Sequence, residues 1–236
     1  FGLITEVMSL NLFYRDRTYT PDWIQIWDTD DLTTLLQGYA HAKYSFNEKL
    51  TLNLGLHSQY LTLNGSTSIE PRMGLKYQLT RRHAFSAGYG MHSQTQPTDV
   101  YFYRTQNPDG STTQTNTDLG FTNSQHFVLG YDYSPLGDWR LKSEVYYQIL
   151  SNVPVTQYPS SFSMLNAGAS FAPVEVSYLV NEGSGTNYGV ELTIEKFFSK
   201  GYYGMVTGSL YDSKFEASNN VEYNTAFNGK YVYNVL

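Results

Sequence analysis

Apolar and polar residues alternate with a period of two over long stretches of this chain. In residues 68–79, Ile69, Pro71, Met73, Leu75, Tyr77 and Leu79 interleave with Glu70, Arg72, Gly74, Lys76 and Gln78. This period describes a β-strand with two differently solvated faces. The pattern recurs upstream as Leu50, Leu52, Leu54, Leu56 and Tyr60 against Thr51, Asn53, Gly55, His57 and Gln59, and before that as Leu36, Ala40, Ala42, Tyr44 and Phe46. It continues downstream with Phe85, Ala87, Tyr89 and Met91. Residues 36–92 therefore read as four strands of one sheet. Further strands are expected at residues 4–14, 127–133, 139–149, 188–194, 202–211 and 231–236, giving about ten in all.

The runs are about ten residues or longer, roughly twice the usual five to six of a globular strand. Ten residues at about 3.3 Å each, tilted by about 45°, cover roughly 23 Å, close to the apolar band of an outer-membrane barrel. Alternation alone does not separate such a barrel from a soluble sandwich, because lipid reverses which face is buried and leaves the period unchanged. Loop order does separate them. Connections near residues 48, 81, 136 and 200 are short, whereas those near 24, 66, 109, 169 and 219 are mostly much longer, and the two classes alternate along the chain. Short turns at one end and long loops at the other are the asymmetry of outer-membrane barrels. The predicted fold is all-β, an antiparallel up-and-down transmembrane β-barrel.

In more detail, residues 15–33 read as a polar connection holding Trp23 and Trp27. Residues 93–125 and 152–186 read as long loops, and 212–225 as a polar loop. Pro71 removes one ladder donor, so a bulge near the outer rim is expected there.

Composition narrows the class. The chain is 41% hydrophobic with a mean hydropathy of −0.39 and has no apolar run of transmembrane-helix length, so a membrane crossing would use strands. Its 22 tyrosines suit interfacial anchors of a membrane barrel, and in a soluble domain would suit a core or a sugar-binding surface. There is no cysteine, hence neither a disulfide framework nor thiolate chemistry. A net charge of −6 without a Lys/Arg cluster argues against a nucleic-acid partner. No GxSxG, P-loop, HExxH or dinucleotide fingerprint points to an enzyme, and no cofactor is implied.

Several strings resemble the barrel of TonB-dependent outer-membrane receptors, particularly the Bacteroidetes type: SIEPRMGL at 68–75, GYGMHSQ at 88–94, NEGSGTNYGVELTIEK at 181–196 and FNGKYVYN at 227–234. The resemblance implies a barrel of about 22 strands with an N-terminal plug filling its lumen. Such a receptor sits in outer-membrane lipid and takes up a ferric chelate, cobalamin or a glycan with energy delivered by the TonB complex through the plug. About ten strands would form under half of that wall. The chain opens and stops inside strand-like runs, Leu236 is not the terminal aromatic of such barrels, and neither plug nor TonB box is read in it. The plug and remaining strands are expected to lie outside residues 1–236, and the first and last strands are expected to be unpaired with each other. Competing readings are a passive porin or structural outer-membrane barrel, and a soluble β-sandwich binding module.

Candidate site residues follow from this register. Glu70, Arg72, Lys76, Arg140, Lys142, Glu144, Glu191 and Glu195 fall on the lumen-facing side, either touching a plug or solute or forming a hydrated, salt-paired wall. Glu191 and Glu195 share a strand face as acid/base carboxylates can, although a wall position accounts for them better. His57, His92 and His126 sit at lumen-side or loop-proximal positions, and His41 and His83 are expected to flank short turns. None of them has metal-site spacing. Tyr101, Phe102, Tyr103 and Arg104, in the loop after the fifth strand, form either a stacking platform for a solute or a segment that continues the strand or packs against a neighbouring loop.

Overall fold

The computed structural model describes residues 1–17, 21–135, 137–169 and 173–236. Leu136, in the turn expected at 134–138, lies outside the described residues. The wall strands are β1 (Gly2–Asp16), β2 (Ile24–Ser45), β3 (Leu50–Leu61), β4 (Thr67–Gln78) and β5 (His83–Gln94). After a one-turn helix α1 (Thr98–Tyr101) and a small hairpin of β6 (Arg104–Gln106) and β7 (Thr112–Gln114) come β8 (Thr122–Tyr133) and β9 (Trp139–Thr156). A 3-10 helix (Met164–Ala169) leads to β10 (Leu179–Ser199), β11 (Tyr202–Glu216), β12 (Glu222–Asn224) and β13 (Tyr231–Val235).

Every neighbouring pair is antiparallel, in the order β1-β2-β3-β4-β5-β8-β9-β10-β11, with β12 and β13 both on β11. Among the described residues β1 pairs only with β2 and β13 only with β11, so the sheet is an open wall whose first and last strands do not meet.

The pairing registers show which residues share a face, because directly opposed residues point the same way. One row crosses the sheet as Leu52, Leu75, Ala87, Leu129, Val145, Val190 and Leu210. The next row toward the long loops is aromatic-rich: Met73, Tyr89, Phe127, Tyr147 and Tyr188. Toward the short turns lies Tyr77, Phe85 and Tyr131. Aliphatic and aromatic rows together make this face continuously apolar from strand to strand, as a lipid-facing wall requires. Most of these residues are exposed, Leu129 at 65%, and Leu52, Tyr89 and Tyr131 are half-buried. Among the described residues no second layer covers them, which argues against the soluble sandwich.

Short turns close one end. Asn47 Oδ1 accepts the N–H groups of Lys49 and Leu50 at 2.8 and 2.9 Å. Lys200 and Gly201 both adopt positive φ, 53° and 86°, the two-residue geometry whose twist matches a hairpin, and glycine carries the second position without steric cost. At the same end the buried Lys196 ammonium reaches down to Asp138, 2.8 Å away, and donates to Ser199 Oγ at 2.7 Å, while the Ser199 hydroxyl donates to Asp138. The Tyr202 ring lies 4.6 Å from the ammonium. Lysine stems run along apolar surface while their heads seek polar partners, and here the head meets the turn.

The long-loop end differs from the sequence expectation. Residues 15–33 are not all connection: β2 begins at Ile24, and Trp27 lies within it, 1% exposed. Likewise β9 extends to Thr156, β10 begins at Leu179, and β11 reaches Glu216, so the loops at 152–186 and 212–225 are shorter than expected. Polar residues on these extensions suggest loop, but strands standing beyond the membrane face water on one side and folded loops on the other. The apolar series Met8, Leu10 and Leu12 of β1 accordingly packs on a loop core made by Trp27, Leu35, Leu61, Tyr101 and Phe102.

Pro71 also departs from expectation. The β3–β4 register passes through Leu56↔Pro71 without a shift, so no bulge forms. Instead the β4–β5 ladder ends at Arg72↔Gly90, one residue short of the proline, where the missing N–H would have been needed.

Two predictions follow. In the intact protein Leu129→Arg should lower folding stability in a bilayer by about 2–4 kcal/mol, read from urea unfolding, whereas Lys76→Ala on the opposite face should cost under about 1 kcal/mol. The Lys196 hydrogen bond, then that of Ser199, holds the Asp138 carboxyl down to about 2. Its contribution is therefore present above the ordinary aspartate range and lost as pH falls through about 2, so the acid limb of the unfolding curve between about pH 4 and 2 should flatten in Asp138→Asn.

Candidate lumenal site

The face opposite the aliphatic row is polar. Lys76, Ser86, Gly130, Glu144 and Glu191 form one register row across β4, β5, β8, β9 and β10. Glu70, Arg72, Arg140, Lys142 and Glu195 lie at alternating positions on the same face. Several are paired: Arg140 Nη2 to Asp132 Oδ1 at 2.5 Å and Lys142 Nζ to Glu144 Oε2 at 2.6 Å. Glu191 stands directly opposite Glu144 and Glu195 opposite Arg140. The loops fold over this same face, which makes it the inner one.

Glu70 is the most constrained of the set, 1% exposed. Its carboxylate lies 2.9 Å from His57 Nδ1 and accepts from Arg72 Nη2 at 2.9 Å, Ser68 Oγ at 3.0 Å and Gln59 Nε2. It also accepts the backbone N–H of Ser93 at 3.1 Å, and Gln59 Nε2 donates to the Ser93 carbonyl at 2.9 Å. Glu70 and Gln59 thus replace, with side chains, the β4–β5 backbone bonds lost beyond Pro71. The alternation pattern shows Glu70 only as a wall charge; the sequence signal for its role is a glutamate beside a proline in an interior strand.

Beside this cluster lies a recess of about 490 Å³ that includes His41, His57 and Arg72. His41 is well inside β2, opposite Gly55, rather than flanking a turn. His92 and His126 belong to the same inner face, whereas His83 starts β5 on the outer face and stacks on Tyr133 with ring centroids 4.6 Å apart. Among the described residues no group of His, Asp or Glu is arranged to hold a metal ion.

The quartet after β5 divides. Tyr101 and Phe102 are buried in the loop core, and the Tyr101 hydroxyl accepts the Gln96 N–H at 3.1 Å. Burial pushes the Tyr101 hydroxyl above the ordinary tyrosine range, so it stays protonated. Tyr103 is half-buried, edge-on to Trp27 at 5.6 Å, and Arg104 Nη2 donates to the Asp28 carbonyl at 2.8 Å. The accessible members are Tyr103 and Arg104.

Asparagine side chains fasten the loops over the inner face. Asn116, 1% exposed, donates to the carbonyls of Val100 and Val176 and accepts from Leu179 N, linking two loops. Asn64 donates to the carbonyls of Thr117 and Leu119, and Asn181 accepts from Gly120 N at 2.8 Å. Beneath them opens a cleft of about 440 Å³ lined by Gln94, Gln96, Asp99, Thr122, Met164 and Leu165, among others. The sequence reading singled out none of these six, because a cleft formed by loops meeting across strands leaves no local spacing.

Comparison with known proteins adds the family. Residues 1–235 match the family model described as TonB dependent receptor-like, beta-barrel. The chain belongs to this family. As a TonB-dependent receptor barrel it is an outer-membrane protein, and its aliphatic row faces lipid. No curated protein matches the sequence. Among solved structures the receptor barrel is similar to the FrpB iron transporter from Neisseria meningitidis (F3-3 variant), at 16% identity and a TM-score of 0.57 over 80% of this chain and 27% of that one. It is similar to the siderophore receptor PirA from Pseudomonas aeruginosa, at 12% identity and 0.60 over 90% and 43%. It is also similar to a chain of the RagAB peptide transporter, at 12% and 0.58 over 89% and 24%. At these identities the likeness shows the fold. The chain spans between about a quarter and under half of the chains it matches.

Removing the Glu70 carboxylate strands the Ser93 N–H and Gln59. Glu70→Ala should cost the intact receptor about 2–3 kcal/mol and accelerate amide exchange at Ser93 well before that of Ala87, read by hydrogen exchange in detergent.

Proposed function

We propose that this chain is part of the wall of an active-transport receptor of the Bacteroidetes type. The whole barrel would have about 22 strands, and its plug and remaining strands would lie outside this segment. The observation that carries the reading is the inner face: polar, lined with paired charges, and roofed at its outer end by loops that enclose clefts large enough for a solute. A channel wall serving only to pass ions or small molecules has no use for a roof fastened by asparagine side chains, one of them fully buried.

In this reading the solute, a ferric chelate, cobalamin or a glycan, enters from the loop side and is held by outer loops and lumen. Tyr103 and Arg104 are its loop contacts, with Tyr101 and Phe102 as their support. Arg72, Lys76, Arg140, Lys142, Glu144, Glu191 and Glu195 line a hydrated tunnel against which the plug rests, and Glu70 keeps the wall closed beyond Pro71. The energy arrives through the plug from the TonB complex, and the barrel residues bind and guide without chemistry.

Uptake of radiolabelled ferric hydroxamate, cyanocobalamin and maltoheptaose by cells carrying the intact receptor distinguishes this from a passive porin. The proposal predicts that at least one accumulates and that accumulation disappears in a strain lacking TonB. Accumulation that persists without TonB would establish the porin instead.

A further inference from the structure

Next to the cleft under the loops lies a second inner-face recess of about 320 Å³, and Leu165 of the 3-10 helix borders both. The second recess is floored by residues from three neighbouring strands: Tyr146 and Gln148 of β9, Asn187 of β10, and Tyr211 and Ser213 of β11.

A directed chain of hydrogen bonds crosses this floor. The Thr225 hydroxyl donates to Ser213 Oγ at 2.8 Å, and Ser213 Oγ donates to Asn187 Oδ1 at 2.6 Å. Asn187 Nδ2 donates to Gln148 Oε1 at 2.8 Å, and Gln148 Nε2 donates to Ser124 Oγ at 2.8 Å. Each amide spends one N–H and one lone pair on this chain and keeps another of each. The chain also fixes the orientation of both amides, so the remaining donors and acceptors are presented in a set order. Tyr211 is pinned by donating to the Phe227 carbonyl at 3.1 Å and accepting from Gly229 N at 3.2 Å. Tyr146 lies across β10 at Gly189, where any Cβ would stand 2.8 Å from the tyrosine oxygen and 2.7 Å from the Leu210 carbonyl. Only glycine lets the ring lie there.

Charge is sparse. Among the described residues Asp99 is the one charged side chain bordering either recess. The inner-face cations Arg72, Lys76, Arg140 and Lys142 line neither recess: Arg72 sits beside Glu70, and Arg140 and Lys142 form ion pairs toward the short turns. An anionic chelate would find no counter-charge here. A short peptide would bring an ammonium and a carboxylate to a surface offering at most one partner. A sugar chain matches what is present, because its hydroxyls both donate and accept and its C–H faces pack on Leu150, Leu165, Phe227 and tyrosine rings.

We propose that the band from Gln96 and Thr122 through Gln148 and Asn187 to Ser213 and Tyr211 is a subsite for a neutral oligosaccharide. It rests on the uptake reading above and names the solute class. Calorimetry on the intact receptor in detergent, with maltoheptaose, xylohexaose and chitohexaose as probes and ferric desferrioxamine and hexaalanine as alternatives, tests it. At least one oligosaccharide should bind, with affinity nearly unchanged from about 0.05 to about 0.5 M salt. Asn187→Ala and, separately, Gln148→Ala should weaken that binding roughly tenfold or more, whereas Arg81→Ala, in the exposed turn between β4 and β5, should leave it intact. Each variant is first checked for the heat-dependent gel shift of a folded barrel. Binding of the chelate or peptide alone, absence of oligosaccharide binding, or oligosaccharide binding indifferent to both amide variants would overturn the subsite. TonB-dependent uptake of a ferric chelate would sink the subsite and spare the receptor reading; TonB-independent passage of a bound oligosaccharide would do the reverse.

Discussion

Hydrocarbon contains nothing that can hydrogen-bond a peptide group, and each unpaired N–H or C=O there costs several kcal/mol. This constraint accounts for the antiparallel ladders that run from β1 to β11 with few register breaks. It also explains the treatment of Pro71. The ladder toward β5 fails at that residue, and a buried glutamate and glutamine take over, bonding both polar groups of Ser93. A carboxylate is costly to bury, yet five donors surround this one, so its charge is compensated as well as its lone pairs.

The same constraint makes the two faces unlike. Outward side chains meet lipid and need only be apolar, which is why Leu52, Leu75, Leu129 and Val190 are interchangeable in kind. Inward side chains meet water and loops, and there identity carries meaning: on β8 and β9 paired charges lie toward the short turns, on β4 the Glu70–Arg72 pair secures the edge beyond Pro71, and amides and hydroxyls of β9 to β11 lie nearer the loops.

The wall was legible in the sequence because its signal is local and repetitive. Ser68 through Leu79 alternate with period two over the length of β4, and a register defined that way places Arg72, Glu144 and Glu191 on one face before any pairing is known. The roof was not legible. Trp27, Thr29 and Thr33 lie in a strand extension that alternates for a different reason, one face turned to folded loops rather than to lipid. Asn116 and Asn181 read as ordinary loop residues, and only their partners at Val100, Val176 and Gly120 reveal them as fasteners. The Gln148–Asn187–Ser213 band likewise depends on contacts between strands, which no single-strand period encodes.

Spin labels placed singly at 142–149 of β9 in the intact, bilayer-reconstituted receptor test the central claim most directly, through their relaxation by oxygen, which concentrates in lipid, and by a water-soluble nickel chelate. Labels at Val145, Tyr147 and Ile149 should respond to oxygen, and labels at Lys142, Glu144 and Gln148 to nickel, with a period of two. Labels that respond alike on both parities, or in the opposite sense, would contradict a wall with lipid on its aliphatic face and water on its charged one.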